Sequence, residues 1–438
     1  MKQYDKLIKD LAPQKFGLKG TLWVIFLVVV ILIALYAYYR QLTDGLIITG
    51  MRDYALWGVY ISNFVFFVAV SLVGSLVTAV LRLSGASWST PLTRISEVIA
   101  VAAIMMAGLT IIIDMGRPDR IMNIFLHGRL QSPIIWDVLV ITTYLFISVL
   151  LLYYPLLPDF AILKKHFKGT QPKLSKYYSK MSLNWTGNAK QEKLYSKSIH
   201  TLSVMIIPIA FAIHTVTAWL FATTYRAGWD STNFGPYFIA GAFVAGSGAV
   251  VMLMFILRKA YHLEDYITDM HFDKMGKLLV LLCLVYLYFN INEFLIPAYK
   301  STNEEAAHLQ GLFFGDFSLM FWLAIIGGLV VPVLVLIFRK GRKPLPLFII
   351  AIMVVLGAWW KRYIIVTPTL LHPLLPIQGV PESWHSYFPT ALEWAITAGT
   401  LASALLIMTI LFRYLPIVPI HETAEEQGLL ETKKTETL

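Results

Sequence analysis

The chain has 438 residues, 57% of them hydrophobic and only 14% charged, with a mean hydropathy of +0.67; this balance excludes an ordinary soluble globular domain and points to a polytopic membrane protein. The net charge of +10 does not mark a nucleic-acid binder, because its distribution follows the Lys and Arg excess of cytoplasmic loops. A single cysteine, Cys283, excludes a cysteine-ligated iron–sulfur cluster, a zinc–thiolate centre or a covalent c-type haem on this chain alone.

In chain order, about nineteen polar and basic residues precede the first apolar run, and no small-residue cleavage site closes that run, so no removable signal peptide is expected. Apolar runs long enough to cross a bilayer fall at roughly 20–39, 56–81, 95–114, 133–154, 199–223, 236–257, 278–298, 313–338, 344–366 and 388–412. The expected fold class is therefore all-α integral membrane, with about ten transmembrane helices. The segment before the first span carries five Lys, and the loop 155–198 carries nine more. If both are cytoplasmic, that side holds 27 of the 36 basic residues, which sets both termini in the cytoplasm and the protein in the inner membrane. The expected organisation is a cytoplasmic segment 1–19, a membrane domain 20–413 and a cytoplasmic polar tail 414–438.

This topology crowds the charges of the spans toward the outer side. Asp114 closes the third span there, Asp137 opens the fourth, Glu293 lies near the outer end of the seventh and Asp316 begins the eighth. Lys361, Arg362 and Glu393 lie within about three turns of the same surface, and Asn63 about two turns in. Uncompensated charges at such depth are costly, so they are expected to face one another or a water-filled cleft. Asp114 and Asp137 are 23 residues apart, as are Glu293 and Asp316. With the small residues of spans two and six, this fits two four-helix bundles related by a pseudo-twofold. Spans 2–5 (about 56–223) form the first, spans 6–9 (about 236–366) the second, and spans 1 and 10 flank them.

The stretch from Asp114 to Asp137, DMGRPDRIMNIFLHGRLQSPIIWD, carries the most chemistry. Asp119 and Arg120 read as ordinary loop charges. Asp137 sits among Ile134, Ile135, Trp136, Val138 and Leu139, where a carboxylate is desolvated and suited to proton exchange. Ser132 and Pro133 read as N-cap and first-turn Pro. An amphiphilic carbonyl ligand such as a quinone needs an apolar slot, a donor for each oxygen and a proton-exchanging group; Asn63, Trp136, Asp137 and Arg117 offer those parts.

In the fifth span, His200 and His214 lie close to one face about 21 Å apart. Haem b would need a matching pair, and the other eight histidines fall in loops or tails. His200 reads as an interface residue, and His214 as either a proton-path or quinone-site residue or a satisfied buried one. Glu293 is a candidate partner for Arg362, as a structural ion pair. After the ninth span, HPLLP and PESWHSYFPT form an apolar and aromatic stretch without Lys or Arg, suited to subunit docking or an interfacial aromatic belt. Glu97, His200, Thr110, Thr142, Thr143, Ser148 and Asp137 trace a sparse polar ladder across the first bundle, although Ser and Thr in such helices usually bond their own backbone.

These residues resemble the NrfD/PsrC family, the ten-helix membrane subunits of polysulfide reductase-like complexes and of alternative complex III. The resemblance rests on ISNFVFFVAVS at 61–71, DMGRP at 114–118, SPIIWD at 132–137, IHTVTAWLFA at 213–222, LEDYIT at 263–268 and KRYIIV at 361–366. LLPDF at 156–160 and GPYFIAGAFVAG at 235–246 are most similar to the C-type subunit of alternative complex III. The resemblance implies a menaquinone or ubiquinone site toward the outer end of the first bundle, beside a periplasmic ferredoxin-like iron–sulfur subunit, with further membrane and cytochrome subunits. It implies Asp137 as the quinone or proton-exchanging carboxylate, Asp114 and Arg117 beside it, and Asn63 and His214 as companions. No haem or iron–sulfur cluster is expected on this chain. The chain departs from complex III-like members at Leu72, where they carry a histidine, and near Leu220 and at Lys361, where they carry acids. A secondary transporter and a structural anchor without an active quinone site stand as rival readings.

Overall fold

A computed structural model describes residues 2–224, 226–373 and 377–429, without the side chains at 2, 75–78 and 87. Among the described residues there are ten long apolar helices: α1 (Leu18–Asp44), α2 (Val59–Leu83), α3 (Thr90–Asp114), α4 (Pro133–Tyr153), α5 (Ala189–Ala222), α6 (Phe234–Ala260), α7 (Asp269–Lys300), α8 (Ser318–Leu336), α9 (Pro344–Leu370) and α10 (Ala391–Tyr414). The protein is a multi-pass helical membrane protein. Each helix coincides with an apolar run, since only a segment that satisfies its own backbone hydrogen bonds can sit in lipid. α5 and α7 outrun their apolar cores at the lysine-rich end, where polar residues continue the helices.

Helix ends follow local chemistry. Pro133 starts α4 after Ser132, and Asn188 caps α5 by accepting from Gln191 N at 2.9 Å. A capping box opens α10, with Thr390 and Glu393 satisfying each other's backbone donors. α8 departs from α geometry, being wound as a π-helix over Leu323–Val330. Its Gly328 lies against Gly357 of α9 so closely that a Cβ on Gly357 would stand 2.7 Å from the Gly328 Cα. The loosened turn and the two glycines together let these backbones touch.

Laterally, α2 packs on α3 and α5, and α4 also packs on α3 and α5. In the same way α6 packs on α7 and α9, and α8 on both. α2 and α5 meet α6, and α2 also meets α9, so the seam between the two groups runs along α2, α5, α6 and α9. Trp229, just before α6, crosses it by donating Nε1–H to Ile365 O at 2.8 Å. α1 stands outside and packs chiefly on α10. Residues 374–376 of the HPLLP stretch and 430–438 of the tail lie outside the described residues.

At the lysine-rich end, the helix Lys2–Leu11 buries Leu7, Ile8 and Leu11. Beneath it Arg94 and Asp159, both 0% exposed, pair at 3.1 Å, and Arg94 also donates to Leu152 O and Pro155 O. Asp159 accepts from His421 N at 2.9 Å, holding the C-terminal helix Ile420–Glu426 in place, while Glu422 pairs with Arg82 at 3.1 Å and Glu426 accepts from the Thr90 hydroxyl. Burial pushes the Asp159 carboxyl up to about 6, against the opposing pull of Arg94 and the His421 N–H.

Candidate functional site between α4 and α5

Asp137 is the fifth residue of α4 and lies on its buried face with Ile141 and Tyr144. Ile134 and Leu139, on other faces of the same turns, are exposed, so the carboxylate sits one helix thickness from the lipid side. Tyr144 donates to Ser71 O at 2.6 Å and so fastens this face to α2. On α5, His214, Thr217, Ala218 and Phe221 recur at helical spacing on one buried stripe. Thr217 donates its hydroxyl to Asp137 Oδ1 at 2.7 Å. His214, one turn earlier, has Nδ1 at 3.3 Å from Ala210 O. A carbonyl only accepts, so Nδ1 carries the hydrogen and Nε2 offers a lone pair. That Nε2 is buried and has no partner among the described residues. The arrangement is a sealed carboxylate, a hydroxyl that orients it, and a bare imidazole nitrogen one turn away.

The other expected companions are elsewhere. Asn63 is spent on packing: it donates Nδ2–H to Thr397 Oγ1 at 2.9 Å and accepts Trp359 Nε1–H at 2.8 Å, clamping α2 to α9 and α10. Arg117 is largely exposed and bonds Asp119 through Nε at 3.0 Å and Nη2 at 2.8 Å, so it does not accompany Asp137. α3 ends at Asp114, and Pro118 opens a separate short turn, which leaves Arg117 in the loop. Trp136 donates its indole N–H to Leu130 O at 2.5 Å, and Ser132 caps α4 with its backbone carbonyl rather than its hydroxyl.

Asp114 belongs to a different corner. It is half-buried, with Oδ1 enclosed and unpartnered among the described residues, and Glu393 and Tyr60 are its titratable neighbours. Gln41 braces the end of α3 by donating to Ile113 O at 2.8 Å while accepting from the Tyr60 hydroxyl at 2.8 Å. Glu393 is fully buried without a cation among the described residues, and its oxygens accept from Gly50 N (2.7 Å), Tyr387 Oη (2.7 Å), Thr390 N (2.9 Å) and Thr390 Oγ1 (3.0 Å). Four donors answer its charge and tie the α1–α2 loop to the start of α10. The aromatic stretch before α10 is thus split: Tyr387 and Pro389 face inward and Phe388 is exposed.

The expected Glu293–Arg362 pair does not form. Adjacent residues on a helix point about 100° apart, and it is Lys361 whose charge bears on Glu293, while Arg362 turns to Phe238. Glu293 accepts from Ser231 at 2.7 Å. The Lys361 ammonium is buried among Phe294 (4.4 Å), Phe321 (5.0 Å) and Tyr237 (5.8 Å), measured to the ring centroids.

The polar ladder is broken. His200 is exposed, Thr142 and Thr143 are exposed and bond Val138 O and Leu139 O, and Thr110 bonds Met106 O and Ala107 O. Glu97 is buried at the start of α3, with neither oxygen hydrogen-bonded among the described residues and Arg82 Nη1 3.7 Å away. Asp316 is exposed ahead of α8, so the equal 23-residue spacings do not give equal environments.

Sequence reasoning missed the Arg94–Asp159 pair and the Glu393 hub. The TALE run at 390–393 is a capping-box signal that marks Glu393. Isolated charges at the ends of the third and fourth spans mark Arg94 and Asp159 singly, and nothing in the sequence pairs them.

The ten long apolar helices among the described residues, with buried carboxylates at the lysine-poor end, define a polytopic membrane protein. The chain belongs to the NrfD family (polysulphide reductase, NrfD), which matches it over residues 47–373. It is 28% identical over 432 residues, covering 92% of both chains, to a Halobacterium salinarum protein provisionally named as a membrane subunit of dimethyl sulfoxide reductase. It is 24% identical to a selenate reductase subunit of Mesobacillus selenatarsenatis, over 91% of this chain and 95% of that one. It is also 24% identical to the menaquinone reductase integral membrane subunit of Nitratidesulfovibrio vulgaris, over 92% of each.

Proposed function

We propose that this chain is the quinone- or quinol-interacting membrane subunit of a multi-subunit respiratory complex, with menaquinone or ubiquinone as substrate and no catalytic activity alone. The observation that carries the reading is the buried Asp137 carboxylate, oriented by Thr217, which stands one turn along α5 from His214 with its bare Nε2. Quinol oxidation releases two electrons and two protons. Asp137 takes the first proton, His214 Nε2 takes the second, and the electrons pass to a partner's redox group; reduction runs the same steps backwards. The exposed apolar side chains of Ile134 and Leu139 supply a lipid-side surface for the quinone tail. Family relatives named as menaquinone reductase and menaquinol oxidoreductase membrane subunits support the same substrate class.

The partner in this reading is a periplasmic ferredoxin-like iron–sulfur subunit, with further membrane and cytochrome subunits. The loop 115–132 exposes Met122, Phe125, Leu126 and Leu130 between the ends of α3 and α4, an apolar patch suited to docking beside the site. The lysine distribution supports an inner-membrane placement with both termini cytoplasmic. Glu97 and Glu293 remain the titratable proton-path candidates, Arg362 can serve such a path only as a fixed charge, and exposed His200 serves only at a water-facing end. In the assembled complex, Asp137→Asn should lower quinol turnover by about 100-fold or more while assembly is kept; unchanged turnover and quinone binding would remove Asp137 from the chemistry.

A further inference from the structure

Arg362 is a buried cation without a counter-ion. It is 1% exposed and takes part in no ion pair among the described residues. Its Nη2 donates one long bond, 3.4 Å, to Phe238 O, and the guanidinium lies 4.9 Å from the Phe238 ring centroid. Its Nη1 is buried and unpartnered among the described residues. A guanidinium cannot shed its proton in a protein, so burying it calls for an acceptor or a negative charge. Glu293 does not meet that need, since it accepts from Ser231 and has Lys361 as its charged neighbour.

Arg362 on α9 and His214 on α5 belong to opposite helix groups, which meet through α2 and α6. The two are bridged by aromatic packing: the Phe238 ring under Arg362 lies 5.9 Å from that of Phe221, two turns along α5 from His214. One side of the seam therefore has an orphan donor, Arg362 Nη1, and the other an orphan acceptor, His214 Nε2. The two oxygens of one quinol satisfy both: the one that becomes an anion accepts from the donor, and the one that keeps its hydrogen donates to the acceptor.

We propose that Arg362 completes the quinone site from the second helix group, donating Nη1–H to the ligand oxygen that becomes negative once Asp137 has taken the first proton of a quinol. The proposal rests on the quinone reading and deepens it. Proton transfer from quinol to the Asp137 carboxylate leaves a quinolate and a neutral acid; the quinolate then gives two electrons to the partner's redox group and its remaining proton to His214. Arg362 keeps its own protons throughout and acts by charge and hydrogen bonding, as preorganised electrostatic stabilisation requires. Its position depends on Gly241, where a Cβ would stand 2.8 Å from Nη2 and 2.8 Å from Tyr286 Cζ.

The test uses the assembled complex and a hydroxyquinoline N-oxide, a quinol analogue whose hydroxyl ionises, with binding titrated on both sides of that ionisation. Wild type should bind the ionised form more tightly. Arg362→Met should lose about tenfold or more of affinity for that form and little for the neutral one. Arg362→Lys should recover part of the loss, and Gly241→Ala, which moves the guanidinium without removing charge, should fall between. Wild-type affinity for the ionised analogue in assembled Arg362→Met overturns the proposal. If Arg362→Met does not assemble, unchanged pH dependence in both Arg362→Lys and Gly241→Ala overturns it equally. Failure of wild type to bind either form of the analogue overturns the underlying quinone reading, and this proposal with it.

Discussion

Buried charges in this protein are answered in three ways, each with a different cost of disturbance. Glu393 is held by four donors, Arg94 by Asp159 and two carbonyls, and Lys361 by aromatic rings. Removing one member of a buried ion pair strands the other, so Arg94→Met or Asp159→Asn alone should destabilise the protein by about 3–5 kcal/mol. The joint replacement Arg94→Met with Asp159→Leu should be much milder, as read by thermal unfolding in detergent. Equal losses in single and double variants would contradict this account. At this scale the sequence is partly legible. Asp137 stands out because its flanks are apolar, whereas its partner Thr217 is visible only as a hydroxyl of the fifth span, since pairing across 80 residues leaves no local trace.

At the scale of elements, the helix Asn303–Phe313 shows how a short segment acquires pH sensitivity. Its His308 is buried against His372, with ring centroids 5.7 Å apart. Burial foremost, then His372 and Lys361, lowers its pKa to about 3 from an ordinary 6.5. Between those values the unfolded segment binds the proton and the folded one does not, so stability is full above about 6.5 and lost as pH falls. The expected loss is about 1 kcal/mol per pH unit below 6.5. Hydrogen exchange in 303–313 should accordingly quicken from pH 7.5 to pH 5, and His308→Gln should flatten that dependence; an unchanged profile would show that the helix opens by another route. The ten spans are legible because lipid enforces long apolar runs, whereas short helices outside them, Asn303–Phe313 among them, leave no such mark. The Pro118 break that separates Arg117 from Asp137, the π-winding of α8 and the inward turn of Tyr387 depend on packing that no periodicity encodes.

For the molecule as a whole, the asymmetry of lysine between the two ends predicts orientation. Cys283 is buried, so cysteines placed at Leu126 and Lys168 report on opposite faces. Leu126→Cys should react with an impermeant maleimide in intact cells and Lys168→Cys only after permeabilisation; the reverse pattern would invert the topology. The overall plan is legible to the extent that hydropathy fixes spans and charge fixes sides. The seam is not, because it is made by Gly241, Phe238 and Trp229, whose neighbours lie on other helices.

The pairing of α1 with α10 has a consequence in time. α1 leaves the ribosome well before α10, its principal partner, so while the eight spans between them are made it waits in lipid with its packing face uncovered. The Gly50–Glu393 hydrogen bond closes on the same late schedule. The lysine-poor surface is thus finished only when α10 has been inserted, and chains stopped short of residue 391 cannot present it.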